Sequence, residues 1–176
     1  MSEKQNEEST PKEKQKVKKP KPFNSEDHLV KPHRKKSREV VESDVDRVLD
    51  SAKIMLTICR LPVGVKEGGR ALAHCQIDDQ DPLRFFVLRD GAIVINPVII
   101  RHTKHKDLKP EGCLTYPWEK KDAHVGRHYK VTIEYQSLTP EKKLTEKREM
   151  NLKGLAAQIT QHEIDHMEAI YVFDNQ

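Results

Sequence analysis

Apolar positions are unevenly spread along this chain, and their spacing divides it. The first 38 residues, "MSEKQNEESTPKEKQKVKKPKPFNSEDHLVKPHRKKSR", offer little to bury beyond Val17, Phe23, Leu29 and Val30. Such a stretch cannot offset an ordering cost of ~1–2 kcal/mol per residue. It is expected to be a disordered tail over residues 1–40. From about Glu39 the pattern changes. In "ESDVDRVLDSAKIMLTICR", Val45, Val48, Leu49, Ala52, Met55, Leu56 and Cys59 recur on one face of a helix, with Ser43 as its expected N-cap and Pro62 and Gly64 as its stop. "FFVLRDGAIVINPVII" reads as two strands joined at Asp90-Gly91. In "HYKVTIEYQSLTPEKKLTEKREM", Tyr129, Val131, Ile133 and Tyr135 alternate with polar residues, which predicts a second hairpin turning at Ser-Leu-Thr-Pro. "NLKGLAAQITQHEIDHMEAIYVF" then predicts a helix capped by Asn151. Helix, strands and helix in that order define an α+β fold, with antiparallel sheets around a central C-terminal helix, over residues 41–176. Roughly 135 residues are enough for one self-sufficient core.

Charge and cysteine content narrow the setting. Charged residues make up 34% of the chain and the formal net charge is +4. Part of the basic excess lies in two clusters, Lys12–Lys21 and Lys31–Arg38. Such clusters fit either contact with an anionic surface such as ribosomal RNA or a solvated segment that maintains solubility. The chain has no apolar run long enough to cross a membrane and no signal-peptide pattern. Cys59, Cys75 and Cys113 are too few and too widely spaced for a disulfide framework, so a reducing cytoplasm is expected. Cys59 reads as a buried small hydrophobe.

The chemistry gathers in "QHEIDH", residues 161–166. His162 and His166 are one helical turn apart and project from the same side, so two imidazoles can hold one cation. A catalytic site needs a third protein ligand and an open position. Neither a glutamate on another downstream helix nor a third histidine follows, so the third ligand lies upstream. Cys113, in "EGCLTYP", is the candidate: a thiolate is a strong ligand for Zn²⁺ or Fe²⁺, and Gly112 allows a close backbone approach. Glu163 points about 100° away from His162 and is placed for proton transfer rather than ligation.

Taken together, these stretches resemble the peptide deformylases, which remove the formyl group from the N-terminal methionine of new polypeptides. That family carries a glycine- and alanine-rich stretch ending in glutamine, then EGCLS, then QHExDH. Here the third motif is complete, the second reads Glu111-Gly112-Cys113-Leu114-Thr115, and the first corresponds partially to residues 69–76, "GRALAHCQ". The likeness covers residues 45–174. It implies one divalent cation on Cys113, His162 and His166, with Fe²⁺ favoured in the cell and Zn²⁺ or Ni²⁺ also accepted. It implies Glu163 as the group that takes a proton from water and passes it to the departing nitrogen. It further implies the Gln76 amide and the Leu114 N–H as oxyanion donors. Gly69, Ala71, Glu111, Leu155 and Ile159 are expected to contact an N-formyl-methionyl peptide, which lies along the first motif as an added strand.

The chain departs from the family at Ala71, where a glycine is usual, and at His74, where an alanine is usual. His74 reads as a core histidine or as a residue lining the pocket. Asp165 reads either as an acceptor orienting a ligand or as a surface carboxylate. The chain stops soon after "YVFD", which resembles the short forms found in phages and some divergent paralogues, and the basic tail is expected to take over ribosome docking. Two other readings compete: a metallopeptidase, against which Cys113 in EGCL argues, and a non-enzymatic RNA- or ribosome-binding protein with a structural metal, against which Glu163 and Gln76 argue.

Overall fold

The computed structural model describes residues 23–174. In chain order its elements are α1 Val45–Arg60, β1 Ala71–Ala73, β2 Phe85–Leu88, β3 Ile93–His102, β4 Lys106–Glu111, β5 Ala123–His128, β6 Lys130–Gln136, β7 Arg148–Lys153 and α2 Leu155–Met167. A five-stranded sheet runs β1-β2-β3-β6-β7, and β4 with β5 forms a separate two-stranded sheet. Every pairing between these strands is antiparallel.

Alternation along β1 and β2 gives the larger sheet two apolar faces. Leu72, Phe85 and Val87 join Val48, Ala52, Met55 and Ile58 of α1 in one core. Ala71, Ala73 and Phe86 join Val94, Val131, Ile133 and, from α2, Ala157, Ile164 and Met167 in a second. Successive side chains of a strand point to opposite faces, so a helix can cover each. α2 also touches β5. The α+β arrangement around a central C-terminal helix is therefore the observed one.

The hairpin at Asp90-Gly91 forms as expected. Gly91 has φ +105°, and the Asp90 carboxylate accepts the Ala92 N–H at 3.0 Å. The second hairpin also forms, with Val131 opposite Leu152 and Ile133 opposite Met150. Its connection is longer than the Ser-Leu-Thr-Pro turn: a Leu138–Leu144 bridge and a Thr139 N–H to Lys143 carbonyl bond close a loop over residues 137–147.

Both helix starts differ from expectation. Residues Glu42–Asp44 form a 3₁₀ turn, and Asp44 rather than Ser43 stands at the N-cap of α1. The Asp44 carboxylate accepts the Val41 N–H at 3.0 Å and pairs with Arg38 at 2.7 Å. Asn151 does not cap α2. It lies in β7, where its side-chain oxygen accepts the Thr132 hydroxyl at 2.7 Å. The strand runs on to Lys153, and Gly154, at φ +58°, turns the chain into the helix.

The expected tail boundary near residue 40 also moves. Residues 1–22, including the Lys12–Lys21 cluster, lie outside the described residues. Residues 23–40 belong to the packed unit. The Ser37 N–H bonds the Met167 carbonyl at 2.8 Å, and Arg38 bridges to Leu83. Val40 exchanges two bonds with the Asn96 side chain, 2.8 and 2.9 Å. Asn96 itself sits at φ 51°, at a register shift of β3. Several of the basic residues of the second cluster are engaged internally: Arg34 with Asp174, Lys36 with Glu168, and Arg38 with Asp44 and Asp81. Charge pairing and backbone bonds hold a segment that its sparse apolar content alone could not.

Candidate metal centre

β4 ends at Glu111, and the chain turns through Gly112 to put Cys113 opposite α2. Cys113 Sγ lies 3.2 Å from His166 Nε2, which lies 3.1 Å from His162 Nε2. All three atoms fall within 4.8 Å of one another. Ligand atoms ~2.0–2.3 Å from one tetrahedral centre are separated by roughly 3.3–3.6 Å. One thiol sulfur and two imidazole nitrogens converging at nearly that spacing fit a divalent cation, and this is the one such donor group among the described residues. Gly112 serves this turn differently from expectation. A side chain there would meet Asp122 Oδ1 at 3.0 Å and Lys66 Nζ at 3.2 Å, so the close approach is to those two side chains.

The electrostatics suit a cation. Burial opposes a thiolate at Cys113, but His166 and His162 outweigh it and hold its pKa well below the usual thiol value. Burial likewise opposes a charged His162, while Cys113 and Glu111 raise its pKa.

Glu111 carries more in this site than the sequence suggests. It is buried, and both its oxygens are engaged: Arg127 takes them in two parallel bonds of 2.8 Å, and Oε2 lies 2.9 Å from His162 Nδ1. It borders the cleft, and its carboxylate fixes the His162 ring with Nε2 toward Cys113 and His166. Burial opposes its charge, yet Arg127 and His162 lower its pKa to about 2. Asp165 bonds the same Arg127, which resolves its role: it braces the cation that braces Glu111. Arg127 was missed in the sequence, though a signal exists. In β5, Ala123 and Arg127 are the buried positions, so an arginine falls in the inward register and requires an acidic partner.

Glu163 is 4% exposed, and no described residue bonds its Oε2. Burial raises its pKa, with His162 and His166 pulling the other way. Gln76 is fixed at both ends: its oxygen accepts the Ala73 N–H, and its nitrogen donates to Thr115 Oγ1, each at 2.9 Å. Thr115 thus places the amide, a second contribution missed in the sequence. Gln76 Nε2 also lies 3.9 Å from Cys113 Sγ. Gly69 leaves room for Leu114, whose Cδ1 stands 2.7 Å from where a Cβ would be.

One cavity of about 490 Å³ is lined by every expected residue except the buried His166: Gly69, Ala71, Gln76, Glu111, Cys113, Leu114, Leu155, Ile159, His162 and Glu163. His74 is elsewhere. It sits in the core against Phe85, its Nδ1 accepts the Leu83 N–H at 3.0 Å, and its Nε2 lies 3.2 Å from Ser51 Oγ. Burial pushes its pKa down to about 4.

Fold and site together define an α+β domain built around a cysteine–histidine–histidine donor set that could hold a cation, with a buried carboxylate beside it. The family model described as polypeptide deformylase matches residues 28–176, and the chain belongs to that family. Curated relatives include the peptide deformylase of Pseudothermotoga lettingae, 34% identical over 94 residues, 52% of this chain and 51% of that protein. The chain spans about half the length of the curated relatives it matches. Among solved structures, a PDF from the Vibrio parahaemolyticus bacteriophage VP16T in complex with actinonin is 32% identical, with a TM-score of 0.63 over 81% of this chain and 98% of that one. The peptide deformylase of Thermotoga maritima is 26% identical, with a TM-score of 0.64 over 80% and 88% of the two chains.

Proposed function

We propose that the protein is a divalent-metal amide hydrolase that removes the formyl group from the N-terminal methionine of polypeptides. The observation that carries this reading is the buried Glu163 carboxylate, with an oxygen left unbonded, opening on the same cleft as Cys113 and His162. A purely structural metal site needs no such group. Cys113, His162 and His166 would hold a divalent cation, which would supply Lewis acidity and would lower the pKa of water to about 7. Glu163 takes a proton at its carboxylate and delivers it to the leaving nitrogen, a task suited to a carboxyl whose pKa burial has raised. The Gln76 amide, held by Ala73 and Thr115, and the Leu114 N–H donate to the oxygen that gains charge. Leu155 and Ile159 offer apolar wall to the methionine side chain. A soft thiolate with two imidazoles suits Fe²⁺ in the cell and accepts Zn²⁺ or Ni²⁺. The setting we assign is the cytoplasm, where formylated nascent chains emerge, with Lys12–Lys21 as the contact to the ribosome. Loss of residues 1–22 then weakens ribosome co-sedimentation at low salt; unchanged sedimentation overturns that contact.

The test of the activity is formate release from formyl-Met-Ala-Ser by protein loaded with Fe²⁺, Ni²⁺ or Zn²⁺, beside Glu163→Gln. Turnover that vanishes in the variant supports the reading. A folded, metal-loaded protein that turns over nothing overturns it.

A further inference from the structure

The cleft does not end at the metal ligands. A second cavity, about 620 Å³, borders it, and the two share Arg70 and Ile159. The floor of this second groove is apolar, with Phe86, Leu88, Ile133 and Met150 among its residues. Its rim carries Arg70, Arg89 and Arg148, against one carboxylate, Asp90. Asp90 already accepts the Ala92 N–H, and Arg148 is engaged by the Ser137 hydroxyl and the Tyr135 ring. Arg70 is different. Its residue is exposed, and no hydrogen bond or ion pair forms at its guanidinium among the described residues, although its carbonyl accepts the Arg89 N–H at 2.9 Å. It directly precedes β1, an edge strand of the large sheet whose open side can accept an extended peptide. A peptide added there, with its methionine end at the metal ligands, would run past Arg70 toward the second groove.

We propose that Arg70 is a specificity-determining residue that selects substrates with an acidic side chain at the second to fourth position after the formyl end. This rests on the deformylase reading above and adds to it a preference within the substrate class. A free guanidinium at a half-open cleft is the donor that pairs with carboxylates in two parallel bonds. The groove beyond, with its excess of arginines, offers a carboxylate attraction and little repulsion. An asparagine at the same position of the peptide gains none of the charge interaction. Because the pair is near solvent, it is screened by salt, over a Debye length of about 10 Å at 0.1 M and 3 Å at 1 M.

The experiment uses the metal-loaded full chain and formyl-Met peptides of four residues carrying a single Asp, or the matched Asn, at position two, three or four. Two readouts are taken: kcat/KM for formate release, and equilibrium binding of the same peptides to Glu163→Gln. The expected result is an Asp-over-Asn ratio of about five- to tenfold at one or more positions, carried mainly by KM and falling toward one in 1 M salt. Arg70→Lys keeps the sign of the preference, and Arg70→Glu inverts it. A structural role for Arg70 would lower binding of both peptides together and leave their ratio unmoved. Equal binding of Asp and Asn peptides overturns the proposal whether or not turnover is seen. Absence of formate release from every peptide overturns the activity instead, while the binding ratio still decides the role of Arg70.

Discussion

Two largely covered histidines of this protein behave in opposite ways. Around His74, a backbone N–H, a serine hydroxyl and a phenylalanine ring surround the imidazole, and burial drives it neutral. Around His162, the β4–β5 sheet supplies a carboxylate and an arginine, and α2 itself adds a second carboxylate to that arginine, so the ring is oriented and polarised. Both rings are largely covered, His74 at 1% exposure and the His162 side chain at 12%, so depth alone does not separate them. What differs is the charge of the element packed alongside. A buried histidine is a strut or a ligand according to its partner, and here the partner comes from a different sheet.

This contrast can be broken most severely at Glu163. Glu163→Gln should lower formate release by about 10²–10⁴-fold, while metal content, measured by atomic absorption, stays at the level of the parent protein. The next effect belongs to the brace. Arg127→Met strands the Glu111 and Asp165 carboxylates, and breaking such a buried pair costs about 3–5 kcal/mol of stability. Disorienting a ligand histidine typically weakens metal affinity by about 10–100-fold. Urea denaturation and competition with a metal chelator measure the two losses. A loss of stability with unchanged metal affinity would sink the idea that Glu111 positions His162.

His74 gives the opposite signature. Its folded pKa of about 4 lies below the ordinary histidine value, so the unfolded chain takes up the proton first. Its contribution is complete above about pH 6.5 and is lost as pH falls to about 4, by up to roughly 3 kcal/mol. Urea midpoints measured across that window should fall more steeply with acid in the parent than in His74→Gln, which keeps a polar side chain but cannot titrate. Metal affinity should not differ between the two at neutral pH. The smallest change is expected at the surface: Arg34→Ala removes an ion pair to Asp174 whose arginine side chain is 70% exposed and screened by solvent. Thermal denaturation at low and high salt checks it.

The same contrast explains what could be read from the chain itself. α2 and its donors were legible because helical periodicity and the six-residue motif Gln161–His166 both act within about two turns. The hairpin at Asp90-Gly91 was legible because a turn residue announces it. β4 and β5 were not foreseen: "KDLKPE" and "AHVGRH" contain few apolar residues, and their mutual pairing buries mainly the charged side chains of Glu111 and Arg127. The ion pair of Glu111 is not legible for the same reason, since its partner is 16 residues away in an element with little apolar signal. Asn151 was misplaced because its hydrogen bond goes across a sheet to Thr132 rather than to a helix end. The boundary near residue 40 was misplaced because residues 33–38 are held by polar bonds to residues distant in sequence.

Those distant bonds carry a consequence in time. During synthesis, Ser37 leaves the ribosome about 130 residues ahead of its partner Met167. At roughly 5–20 residues per second that is an interval of about 7–26 s, and Arg34 waits slightly longer for Asp174. Cys113 likewise waits for the two histidines of α2. Until then the early segment is an open strand of chain, available to chaperones and proteases, and the cation has only a lone thiol to meet. The last turn of α2 therefore closes two things at once: the bond that holds Ser37, through Met167, and the approach of His166 to Cys113.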